Sequence, residues 1–313
     1  GGRFERNGLG DEVLWERNPG LVIAHISGFV QTGDPAYVKR ASYDPIAQAF
    51  SGTMRMNGFP GMPSLPAMVF PGDYSASFYA FGMTVAALLK RMQTGKGESF
   101  DIAQFETLLR TQSQYPTDYW HYGADYVKEG SHSLICALYG TYECADGEEV
   151  YVLFLGPGVL RAGLPLIGLE YGSELFPEGE GIIPYGSRAA EVAEAAFADF
   201  ISTRTAAEVE DVLANGGVPC SRIMDYEALR NHPHCQARGI IAEWTSSDGS
   251  DTIPGVKVVP ETANFPGRVW RGAPSIGQDN EDILGELGLD EGQIASMYES
   301  RLLGKRPYFQ PGV

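Results

Sequence analysis

Between Pro66 and Leu89 the chain reads PAMVFPGDYSASFYAFGMTVAALL, a stretch whose single formal charge is Asp73. Phe78, Phe81, Val85, Leu88, Leu89 and Met92 recur at helical spacing, and Gly82, Ala86 and Ala87 allow close approach. The pattern predicts a short buried strand at PAMVF, a Pro71-Gly72 turn and a long apolar helix. TGKG ends that helix with glycines suited to a left-handed cap. A strand and a helix this apolar both need covering, which constrains the chain to a layered arrangement of sheet and helices.

The flanking segments keep the same order. NPGLVIAHISGF reads as a turn and a buried strand. ASYDPIAQAFSGTM reads as a helix with Ile46, Ala49 and Phe50 on one face, stopped by Ser51-Gly52. FDIAQFETLL begins a further amphipathic helix, and strand–helix alternation predicts an α/β layer with a parallel sheet. From Tyr115 the texture changes to an aperiodic linker, YPTDYWHYGADYVKEGSHS. LYGTYECADGEEVYVLFLG then predicts a hairpin turning at Asp146-Gly147. Two amphipathic helices, a Gly216-Gly217 stop and a strand complete a small α+β domain, and a helical pair closes the chain. The expected division is residues 1–116 and 232–313 in a large domain with a C-terminal return, and residues 117–231 as linker and small domain.

The formal net charge of −17 argues against nucleic acid and anionic membranes as partners. Residues 1–110 hold ten basic and ten acidic side chains, so the whole excess lies beyond them. An anionic small molecule is therefore best received in the first third. No window approaches the roughly 18 uninterrupted apolar residues of a membrane span. Cys136, Cys144, Cys220 and Cys235 form no CxxC pair, which predicts reduced thiols in a cytoplasmic protein. His232, His234 and Cys235 in NHPHC match no standard metal spacing. The chain opens on Gly-Gly-Arg with no basic-plus-apolar leader, and reads as a fragment or processed product.

Two readings of Asp73 are open on residues alone. An Asp before a helix is a preferred N-cap. Equally, a carboxylate at the carboxyl end of a sheet strand stands where α/β folds bind ligands, and Gly72 before it admits a substrate.

RASYDPIAQAFSG, FPGDYSASFYAFGMTVAALLKRMQTGKGESFDIAQFETLL, TYECADGEEVYV, VPCSRI, HPHCQARGII and WRGAPSIGQDNEDILGELG, in this order, resemble class III CoA-transferases of the CaiB/BaiF family. The branch holding carnitine and bile-acid CoA-transferases is the most similar. The resemblance implies a Rossmann-like large domain with a parallel sheet plus a smaller α+β domain, the usual N-terminal strand–turn–helix unit being absent. It makes Asp73 a nucleophile. The carboxylate attacks an acyl-CoA thioester, forms a mixed anhydride and then an aspartyl-CoA thioester, and an acceptor acid takes the CoA. Apolar walls would exclude water, and N–H groups near Tyr74 and Ser75 would serve as oxyanion donors. Arg6 and Tyr43 match CoA-contacting positions, and Asp44 stands where relatives have an acidic residue near the reaction centre. A family lysine is replaced by Ala41, leaving Arg40 or Lys39 to serve. No glycine-rich covering loop is found between Tyr122 and Tyr139. Coenzyme A and acyl-CoA enter as substrates, with no permanently bound cofactor, and the partner implied is a second copy in an interlocked homodimer. A racemase of the same fold is disfavoured because AQAFSG has no histidine, and a truncated, non-catalytic CoA-binding module is the remaining alternative.

Overall fold

The computed structural model describes residues 2–246, 249 and 251–305. It is a mixed α/β structure with small sheets that divides into two compact units between Ile223 and Met224.

In the first unit, strand β1 (Ile23–Ser27) lies parallel to β2 (Ser99–Ala103), with Ile23 opposite Ser99 and Ser27 opposite Ala103. The crossover between them carries the helix Asp44–Phe50 and the long helix Pro71–Thr94, and β2 runs directly into the helix Gln104–Thr111. Parallel strands need a crossover of this kind, because a tight turn cannot reverse the chain twice. The long helix starts on a proline, whose missing N–H is no loss in the first turn, and ends at Gly95 with φ 71°.

Two expectations fail here. PAMVF is not a strand: residues 66–70 are irregular, and Met68 and Val69 are exposed. The backbone groups a strand neighbour would pair are taken by one side chain instead. The Gln48 amide accepts from Ala67 N–H at 2.8 Å and donates to Ala67 C=O at 3.0 Å. The long helix, in turn, is not enclosed. Gly72, Ala76 and Ala87 are buried, whereas Phe78, Phe81 and Met92 are 73%, 72% and 82% exposed. Gly72, Ala76 and Ala87 meet the rest of the unit, whereas Gly82 and Ala86, expected at a close approach, are exposed along with the large residues.

A hairpin follows, β3 (Tyr139–Glu143) against β4 (Glu149–Leu153), turning through Gly147 at φ 79°, with β5 (Cys220–Arg222) on the other side of β4. The helices Arg188–Ile201 and Ala206–Asn215 begin on Ser187 and on a Thr205–Glu208 capping box. Phe154, Phe197, Leu213, Val150 and Val152 are fully buried between helices and sheet and form the main core. The linker is more regular than expected, since Tyr115–Tyr122 is a helix closed by Gly123 in the left-handed conformation.

The second unit has its own hairpin, Ile241–Thr245 against Thr252–Val256. Its closing helices, Asn280–Glu286 and Glu291–Glu299, are those the terminal periodicity predicts. A bidentate pair, Arg271 to Asp279 with both contacts at 2.8 Å, anchors the segment before them. No helix among the described residues is long and apolar enough to cross a membrane.

Phe197→Ala should lower unfolding free energy by about 3–5 kcal/mol, read from urea titration with an unchanged slope. The thiols give a pH test. Burial, with Asp146 and Glu148 nearby, pushes Cys144 up to about 11. Burial and the neighbouring Glu210 push Cys220 up to about 12. The folded state thus keeps protons that unfolded thiols lose near 9.0, so this contribution to stability is intact below that pH and declines towards 12. Iodoacetamide at about pH 8 should label neither thiol appreciably until urea is added.

Candidate active site

The carboxyl ends of the two parallel strands gather the starts of three helices. Gln104 follows the last residue of β2 directly. After β1, Gly28 passes so close to Ser42 that an added Cβ would lie 2.1 Å from the Ser42 Cβ. This approach sets Tyr43 and Asp44 beside the end of β1. In open α/β sheets that end of the strands is where ligands bind.

Asp44 organises the arrangement. It is 2% exposed. Its Oδ1 accepts from Gly72 N–H at 2.5 Å and from Asp73 N–H at 3.3 Å, and its Oδ2 accepts from the Gln48 amide at 2.5 Å. The start of the long helix is therefore capped by a carboxylate from another helix, while Phe70, in the cap position, contributes no side-chain bond. This satisfies donors that a helix start leaves open and places negative charge at the positive end of the helix dipole. A Cβ at Gly72 would sit 2.8 Å from Asp44 Oδ1, so any larger residue there would have to displace that carboxylate.

Asp73 is thus not the cap. It is the third residue of the helix, and its carboxylate is exposed, held by the Gln104 side-chain amide, which donates to Oδ1. Ser75 and Thr107 hydroxyls, 2.8 Å apart, tie the same two helices together one turn further in. Two features expected around Asp73 are not met. Tyr74 N–H donates to Phe70 C=O at 3.1 Å, and the Gly72 and Asp73 amides go to Asp44, so these donors are occupied. Apolar walls around Asp73 are also missing among the described residues, since Asp73 and the neighbouring Tyr74 are both exposed. Four clefts among the described residues, of about 220, 210, 570 and 370 Å³, have walls that do not include Asp73.

Tyr43 is 80% exposed at the start of the Asp44 helix. Arg40 lies with its guanidinium 3.9 Å over the Tyr37 ring. Tyr37 joins Phe29, Phe50 and Phe105 in an aromatic cluster with neighbouring centroids 5.0–6.0 Å apart. Arg6 is on the helix Arg3–Arg6, next to a cleft of about 370 Å³ lined by Arg3, Phe4, His25 and Gln31. The structure therefore brings Asp44 and Asp73 together with Tyr43 adjacent, and carries Arg6 and Arg40 on separate elements. Gln48 and Gln104 were missed. The signal for both is an amide flanked by apolar residues, in IAQAF within the helix Asp44–Phe50 and in IAQF at the start of the helix Gln104–Thr111.

A Ser-His-Asp set also occurs but in the wrong order. Asp11 lies between His25, at 2.8 Å, and the Ser99 hydroxyl, at 2.5 Å. Burial opposes ionisation of Asp11, yet these two hydrogen bonds hold it below the usual carboxylate range. The serine is bound to the carboxylate, not to the histidine, so no nucleophilic triad forms.

Asp44→Ala should cost about 1–3 kcal/mol by leaving two amides and the Gln48 side chain without their acceptor. Hydrogen exchange should accelerate at Gly72 and Asp73 while the 188–215 helices keep their protection. Unchanged exchange at these two amides would contradict the capping role.

Residues 1–280 match the family described as CoA-transferase family III. Over 297 residues the chain is 37% identical to the bile acid CoA-transferase BaiK of Clostridium scindens, covering 94% of this chain and 68% of that protein. A CaiB/BaiF family protein from Brucella suis shares the fold at TM-score 0.74 and 24% identity, over 91% of this chain and 73% of that one. Rv3272 from Mycobacterium tuberculosis does so at TM-score 0.70 and 20% identity, over 89% and 73%. The chain belongs to the class III CoA-transferase family.

Proposed function

We propose that this CoA-transferase moves CoA from an acyl-CoA to an acceptor acid through Asp73, by way of an aspartyl-CoA thioester. One observation carries the reading. The capping duty that would occupy Asp73 is discharged by Asp44, and the Asp73 carboxylate is left exposed at the carboxyl ends of the strands. A carboxylate is a sufficient nucleophile towards a thioester when it is fixed and accessible. Arg6 and Arg40 supply cations for the CoA phosphates, and Tyr43 presents an exposed ring beside the reaction centre. Asp44 acts at that centre through the helix start it holds.

The acceptor is a bile-acid-like or carnitine-like carboxylic acid; the named activity of the Clostridium scindens relative favours the former. The exposed Phe78, Phe81 and Met92 are consistent with a large domain completed by further chain and with a second copy in an interlocked homodimer. CoA enters as a substrate and not as a resident cofactor, and the setting is cytoplasmic.

Incubation with an acyl-CoA, an acid quench and intact-mass measurement test this. Wild type should carry covalent CoA. Asp73→Ala should carry none and should lose transfer by more than about a thousandfold. A racemase would exchange the α-proton of the acyl group and form no adduct, and that outcome would overturn the proposal.

A further inference from the structure

We infer that Gln104 is the oxyanion donor for the half-reactions that take place on the Asp73 side chain. The inference rests on Asp73 being the nucleophile.

Among the described residues the Gln104 amide is the one side-chain group that donates to the Asp73 carboxylate, and it holds Oδ1. It is well placed to be rigid. Gln104 opens its helix directly at the end of β2, and the neighbouring Thr107 hydroxyl is locked between Gln104 C=O at 2.9 Å and the Ser75 hydroxyl at 2.8 Å. The backbone amides that would otherwise serve are committed to Asp44 and Phe70.

The bond changes show why this contact matters. Asp73 Oδ2 attacks the thioester carbonyl and expels CoA thiolate, giving a mixed anhydride with Oδ1 as its aspartyl carbonyl oxygen. The thiolate then adds to Asp73 Cγ, the electron pair moves onto Oδ1, and collapse expels the donor's carboxylate, which leaves with Oδ2. The aspartyl thioester remains, with Oδ1 still its carbonyl oxygen. An incoming carboxylate adds to Cγ, Oδ1 again takes the charge, and the thiolate leaves. That thiolate attacks the acceptor's carbonyl carbon in the new anhydride and expels the Asp73 carboxylate. In both additions at Cγ the negative charge develops on the oxygen that Gln104 already holds. Relative to the neutral anhydride and thioester from which these additions start, a preorganised donor at that oxygen stabilises the transition state more than the ground state.

The test uses Gln104→Leu, which keeps the volume without the donor, and Gln104→Glu, which donates only when protonated. Thermal unfolding of each establishes folding. For Gln104→Leu the prediction is a fall in kcat of about 10²–10³-fold with KM changed less than about threefold. The CoA adduct should still appear by intact mass, but form and discharge more slowly. Gln104→Glu should be as slow near neutral pH and recover as pH falls and the new carboxyl takes up a proton, a limb absent from wild type. Adduct chemistry at the wild-type rate in Gln104→Leu, or no acid recovery in Gln104→Glu, would overturn the role of Gln104 alone. A wild type that never forms an adduct would overturn the Asp73 reading and this one with it.

Discussion

A buried carboxylate, Asp44, holds the candidate site together. It reaches from the start of one helix to the first amides of another, and Gln48 holds its second oxygen. Removing such a group from water is costly unless every oxygen is engaged, and here both are. The consequence is local order. The long helix begins where Asp44 allows, Gly72 leaves room for that carboxylate, and Asp73 emerges one position later with its side chain uncommitted to capping. Gln48 extends this order by holding Ala67, so that the approach to the helix is set by the same network.

This division of labour separates two roles that a lone Asp before a helix could fill. One carboxylate is buried and caps a helix, and the other is exposed and, on the proposed reading, reactive. The first binds two backbone amides and the Gln48 side chain, the second the Gln104 side chain. Gln104 completes the picture from the end of β2. On the proposed reading the three helix starts carry complementary parts: a cap, a nucleophile and a donor.

Much of the fold was legible in the sequence where periodicity was unambiguous. The hairpin at Asp146-Gly147 and the helices of the 188–215 region follow from turn residues, helical spacing and caps. The strand at 23–27 and the helix at 44–50 form where expected, but the apolar run of the first leaves Ala24 and Ile26 exposed. The second exposes Ile46, Ala49 and Phe50 and buries Asp44, Ala47 and Gln48. PAMVF was misread because a short apolar run has no period, and because the partner of its backbone is a glutamine side chain 19 residues earlier. The apolar stripe of the long helix was legible, but a stripe says only that something must cover it. Asp73 was found from its isolation in an apolar stretch together with the family resemblance. Asp44 was found without its capping role, and Gln48 and Gln104 not at all, since neutral amides in apolar helices look like ordinary interior residues until their partners are seen.

The central claim is that the Asp73 side chain becomes a thioester during turnover. Borohydride reduces an aspartyl thioester to homoserine, so treating the acyl-CoA-loaded enzyme and mapping its peptides reads the site directly. The account predicts homoserine at position 73, dependent on acyl-CoA and abolished by prior addition of excess acceptor acid. Aspartate unchanged at position 73, with conversion at some other carboxylate or at none, would contradict it.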